Sequence, residues 1–114
     1  MELSSRDLTI IQKMLGYCRE IEEAHESFGK SFEVFQNNSV YRNAVSLCLM
    51  QIGELSNHLS DAFKESYNSI PWNQIRGMRN VVAHEYGHID TAIVWETATE
   101  DILIIESFCR NILH

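Results

Sequence analysis

Proline is nearly missing, with one residue in 114, and glycine is scarce at five. A sandwich or barrel needs a turn about every 8–12 residues, and this chain has too few turn formers to supply them. Basic residues are few as well. Nine Lys and Arg stand against sixteen Asp and Glu, a net charge of −7 that on average repels nucleic acid. No apolar run approaches the roughly 18 residues of a membrane span. The first dozen residues lack a basic segment followed by a long apolar one, so no secretory leader is expected. Cysteine is sparse and odd in number: Cys18, Cys48 and Cys109 lie far apart. That suits three reduced, buried thiols in a cytoplasmic protein, not a disulfide framework or a zinc ribbon. A composition of 45% hydrophobic and 22% charged residues folds, and the length suits one domain over residues 1–114.

What is present is helical periodicity. Leu8, Ile11, Leu15, Cys18 and Glu22 alternate steps of three and four. Ile10, Met14, Tyr17, Ile21, Ala24 and Phe28 do the same beside them, giving a wide apolar face. Gly29 then punctuates the chain, and residues 32–35 form a short extra turn. Tyr41, Val45, Cys48, Ile52, Leu55, Leu59 and Ala62 keep the step for about six turns, a helix on the order of 40 Å. Asn37, Asn38 and Ser39 offer caps at its start. After a break at 66–71, Pro71 suits a first helical residue. A third helix runs through Trp72, Ile75, Met78, Val81 and Val82 towards Gly87. Asp90 or Thr91 caps a fourth, carrying Ile93, Trp95, Ala98, Ile102, Ile105, Phe108 and Ile112. No stretch alternates with the period of two that a half-buried strand requires. The expected architecture is an all-α four-helix bundle with two long antiparallel helices.

The charges are unevenly placed. Glu20, Glu22, Glu23 and Glu26 crowd together, whereas Arg76 and Arg79 lie in a segment with no acid between Glu65 and Glu85. A locally basic site can therefore sit on an acidic body. The acidic stretch serves solubility or a basic partner.

Chemistry concentrates in residues 79–88, and three readings fit them. The simplest is a helix end whose polar groups are capped and solvated, with histidine favoured at the negative end of the dipole. A second is a zinc peptidase, because His84-Glu85-Tyr86-Gly87-His88 matches H-E-x-x-H. Against it, Gly87 inside the required helix costs about 1 kcal/mol. Thr91 and Val94 also stand where the extended motif needs glycine and histidine. A peptidase further needs an edge strand for its substrate. The third reading starts from Arg79 and His84. Trp72, Ile75, Arg79, Val82 and Tyr86 fall on one helical stripe, so a guanidinium shares a largely apolar ridge and calls for an anion or an interface edge. Asn80 and His84 are four apart, which lets the amide orient the imidazole. Positions 79 and 84 diverge by about 140° on an ideal helix. Either the helix unwinds near His84 or two copies meet about a twofold axis.

The ordered set Gln51-Ile52-Gly53-Glu54, Ile70-Pro71-Trp72, Gly77-Met78-Arg79-Asn80, Arg79-x4-His84-x-Tyr86 and Ile89-Asp90 before Val94-Trp95 resembles the HepT-like ribonuclease toxins of the HEPN superfamily of small helical domains. The resemblance covers nearly the whole chain. It implies a HEPN-type bundle in a symmetric homodimer and an endoribonuclease that needs no metal or other cofactor. Arg79 and His84 are the implied catalytic residues, with RNA as substrate. Asn80 is the implied orienter of His84, and Glu54 a tether for Arg79 or a plain surface carboxylate. Family members are paired with an MntA-like nucleotidyltransferase antitoxin that adenylylates the motif tyrosine, here Tyr86. On that reading Glu85 and His88 are not metal ligands. The other class of function is a catalytically silent module that binds a nucleotidyltransferase without cutting RNA. His25 and His58 read as surface or satisfied core groups, and Trp72 and Trp95 as core or dimer-interface residues.

Overall fold

A computed structural model describes residues 3–84 and 91–114, with the side chains of 80–84 outside that description. All regular structure among the described residues is helical. Helix α1 (Ser5–Phe28) starts where the Ser4 hydroxyl accepts the Asp7 N–H at 3.0 Å. It stops at Gly29, whose φ of 79° favours a residue without Cβ. A short α2 (Phe32–Asn37) follows, matching the extra turn expected there. Asn38 caps α3 (Ser39–Asn57) by accepting the Tyr41 N–H. The segments α4 (Asp61–Ser66), α5 (Trp72–His84) and α6 (Thr91–Glu96) lead through a π-helical turn, Thr97–Asp101, into α7 (Ile102–Leu113).

Both apolar stripes of α1 face inward, through Ile10, Ile11, Met14, Leu15, Cys18 and Ile21. They pack on α3 and α7, and α3 also packs on α5. Helices α1 and α3 are antiparallel: His25 near the end of α1 meets Tyr41 at the start of α3, while Asp7 at the start of α1 meets Ser60 beyond the end of α3. The expected two-helix frame is therefore present, and Cys18, Cys48 and Cys109 are free and buried within it.

Three expectations are corrected. The second long helix does not run to Ala62 but stops at Asn57 and restarts at Asp61. The cause lies 53 residues away, since Asp7 accepts the Ser60 N–H at 2.9 Å and the Ser60 hydroxyl at 2.7 Å. Ser60 in turn caps α4 through the Phe63 N–H, so Phe63 is buried and Ala62 faces out. Pro71 precedes the third helix by one residue, its carbonyl accepting the Ile75 N–H at 3.0 Å. The fourth helix is interrupted by the π turn, where the Ala98 carbonyl pairs with His25 Nε2 at 3.0 Å.

Candidate functional site

The close approach of α3 to α5 builds the site. A Cβ on Gly53 would lie 3.0 Å from the Ile75 carbonyl oxygen and 3.1 Å from the Arg79 nitrogen, both backbone atoms of α5. Only glycine lets the helices meet at this distance without displacement. The next residue, Glu54, is thereby brought beside Arg79, and Arg79 Nη1 donates to Glu54 Oε2 at 2.5 Å. Glu54 Oε1 faces His58 Nε2 at 3.3 Å, one turn further along α3. A chain of His58, Glu54 and Arg79 results. The hydrogen bond from Arg79 holds the Glu54 carboxyl below the ordinary carboxylate range; desolvation opposes it, and the Arg79 charge and the neighbouring His58 add to the lowering.

Arg79 is 51% exposed and Glu54 40% exposed. An ion pair this open to water contributes little stability, and its effect is to orient the guanidinium. The expectation of an arginine on an apolar ridge is thus modified. Ile75 and Met78 are buried, while Arg79 lies at the helix edge. Four residues advance a helix by about 400°, so Arg79 is rotated some 40° outward from Ile75.

The backbone of α5 remains helical through His84. Asn80 and His84 are placed by that backbone alone, and positions 79 and 84 therefore face about 140° apart. Tyr86, with Glu85, His88 and Asp90, lies outside the described residues. Among the described residues no group of three or more His, Cys, Asp or Glu side chains is arranged to hold a metal ion. Glu54 was expected either as a tether for Arg79 or as a plain surface carboxylate, and it is 40% exposed and paired with Arg79. His58 was not connected with it, although its i,i+4 spacing from Glu54 was the available signal.

His25, by contrast, is a satisfied core group. Its Nδ1 accepts from the Tyr41 hydroxyl and its Nε2–H donates to the Ala98 carbonyl. Burial keeps its pKa below the ordinary histidine value, against the raising effect of the Ala98 carbonyl. Trp95 joins the same cluster, its ring 5.5 Å from His25 and 5.2 Å from Phe35. Trp72 packs 5.6 Å from Phe108 and donates its Nε1–H to the Tyr67 carbonyl. Both tryptophans are half-buried and pack against the core. A pocket of about 150 Å³ opens between α3, α5 and the last helices, lined by Leu49, Ile75, Met78 and Ile105 among others. Among the described residues its lining offers no cation and does not include Arg79.

The sequence pattern of the family described as "Ribonuclease HepT-like" matches residues 14–112. A "Putative RNase" of Caldanaerobacter subterraneus subsp. tengcongensis is 36% identical over 85 residues, covering 75% of this chain and 76% of that protein. The "Probable ribonuclease HepT" of Thermococcus cleftensis is 33% identical over 91 residues, covering 75% of this chain and 83% of the other. A "Putative RNase" of Methanocaldococcus jannaschii is 35% identical over 71 residues, covering 62% of this chain and 65% of that protein. No solved structure matches the chain. With its family pattern spanning nearly the whole bundle, including the α3–α5 contact that presents Arg79, the chain belongs to the HepT-like ribonuclease family.

Proposed function

We propose that this chain is a metal-independent endoribonuclease, the toxin of a toxin–antitoxin pair, acting as a homodimer and silenced by adenylylation of Tyr86. The observation that carries the reading is Arg79. It is held by Glu54 at an exposed helix edge, five residues before His84 on the same helix, in a member of a ribonuclease family.

RNA carries its own nucleophile in the 2′-OH, so the reaction needs no activated water. One His84 takes the 2′-OH proton as the oxygen attacks the adjacent phosphorus. A second His84, from the other protomer, gives a proton to the departing 5′-oxygen. The products carry a 2′,3′-cyclic phosphate and a 5′-OH. Arg79 holds the phosphate and stabilises the charge that grows on it. The 140° divergence of positions 79 and 84 along an uninterrupted helix supports a cleft shared by two copies. Exposed Val40 and Leu47 lie at steps of seven from Glu54 on the outer side of α3, an apolar strip leading to the ion pair that a second copy would cover. Asn80 orients His84. A nucleotidyltransferase antitoxin transfers AMP from ATP to the Tyr86 hydroxyl with release of pyrophosphate, adding bulk and negative charge seven residues after Arg79 in the sequence.

The test is incubation of purified protein with a mixed RNA pool in excess EDTA, beside His84→Ala. Cleavage that survives the chelator and is lost in the variant is expected, with cyclic-phosphate ends. A second reading, a silent module that binds a nucleotidyltransferase, draws on the net charge of −7 and on Glu54 occupying Arg79. No cleavage by protein whose intact mass shows no adenylyl group would establish that second reading over the first.

A further inference from the structure

Arg79 is not the only cation on its side of α5. Arg76 is exposed one turn earlier and, among the described residues, makes no ion pair. The stretch from 66 to 84 contains no acid, in a chain with sixteen of them. Residues three apart on a helix have Cβ atoms about 5–6 Å from each other, so two arginine side chains from 76 and 79 can reach successive groups on one polyanion. Arg76 and Arg79 diverge by about 60° on an ideal helix and share one face, whereas Gly77 lies about 100° beyond Arg76 and faces away from Arg79.

We propose that the RNA backbone runs along the face of α5 shared by Arg76 and Arg79, with Arg76 binding the phosphate next to the one held by Arg79. This rests on the ribonuclease reading and extends it from a cleavage site to a binding track. Arg76 touches a phosphate that does not react, so its contribution is to affinity and not to the chemical step.

The test is binding of a fluorescent single-stranded RNA by the full chain carrying His84→Ala, titrated between about 50 and 200 mM salt. Each phosphate contact on a single strand contributes a slope of about −0.7 in log K against log salt. Adding Arg76→Ala is expected to lower the magnitude of the slope by about 0.7 and to weaken binding about fivefold at 0.1 M salt. Arg76→Lys restores most of the slope, because a point charge still binds phosphate, and Lys30→Asn in the α1–α2 turn leaves it unchanged. In the otherwise wild-type chain, Arg76→Ala raises KM with kcat retained. Gly77→Ala, on the other side of α5, raises Tm and leaves the slope unchanged. An unchanged slope in Arg76→Ala, with the parent still binding RNA, overturns the proposal alone. A change in dimer mass without a change in slope also overturns it, by assigning the Arg76 face to a second copy. A parent that binds no RNA overturns the ribonuclease reading and this inference together.

Discussion

Gly53→Ala tests the helix contact on which the site depends. The added Cβ meets the Ile75 oxygen at 3.0 Å, the Arg79 nitrogen at 3.1 Å and the Arg76 oxygen at 3.4 Å. All three belong to the α5 backbone, so no flexible side chain can swing away. The optimum separation for non-bonded heavy atoms is about 3.5–4.0 Å, and α5 must retreat by a few tenths of an ångström. Overpacking of this kind costs typically 1–3 kcal/mol, while replacing a helical glycine by alanine returns up to about 1 kcal/mol. The net expectation is a loss of about 1–2 kcal/mol, or some 4–8 °C in Tm for a domain of this size. Gly77→Ala is the matched comparison. It adds the same methyl to α5 with nothing within 4 Å among the described residues, so only the propensity term remains and the variant gains up to about 1 kcal/mol. Urea unfolding of both variants beside wild type reads the difference. Retreat of α5 also separates Arg79 from Glu54, so RNA cleavage by Gly53→Ala should fall even where the protein is fully folded. A Gly53→Ala protein as stable as Gly77→Ala would refute the claim that backbone contact fixes the register of α3 and α5.

Asp7→Ala removes both acceptors that hold Ser60, and hydrogen bonds to a buried carboxylate of this kind imply a loss of about 2–3 kcal/mol in urea unfolding. A loss below about 0.5 kcal/mol would show that the α4 cap does not need α1. His25 titrates below the ordinary value of about 6.5 because it is buried. The unfolded chain therefore binds more protons there, and stability is full above pH ~6.5 and declines as the pH falls below it. His25→Gln, which keeps a donor and an acceptor, should lose less stability than wild type between about pH 7 and 5; equal pH slopes would contradict the buried neutral imidazole. Burial pushes the Cys48 thiol up to about 11 and Cys109 up to about 12, with Cys18 raised further. Iodoacetamide at neutral pH should leave all three unlabelled in the native protein and label all three in denaturant, read by intact mass. Rapid labelling of any one in the native state would count against the closed core.

The long helices were legible because their apolar residues recur at steps of three and four, a signal local to each segment. Burial of Ile11, Met14 and Cys18 on α1 and of Val45, Leu49 and Ile52 on α3 follows that pattern. The break at residues 58–60 was not legible, because the apolar step continues to Leu59 and the residue that stops the helix is Asp7, at the other end of the chain sequence. The same holds for the π turn. Nothing in Thr97–Asp101 announces it, and the His25 that uses its carbonyl is on α1. Long-range polar pairs decide where helices end, and periodicity does not encode them.

The site shows the converse. Glu54 and Arg79 are 25 residues apart, and their pairing was one of two expectations for Glu54, the other a plain surface carboxylate, whereas the exposed position of Arg79 was not expected. The difference is physical. Gly53 lets the two backbones approach, and that approach brings its neighbour's side chain to Arg79. Exposure depends instead on how far α5 is rotated when Ile75 and Met78 fill the core. That rotation leaves Arg79 and Arg76 outside and couples the two halves of the problem. The apolar residues that dock α5 are interleaved with the cations it presents, so a substitution that tilts the helix by a fraction of a turn alters phosphate binding without touching a charged group. Stability and RNA binding should therefore be separable at the outward positions, Arg76 and Gly77, and inseparable at the inward one, Gly53.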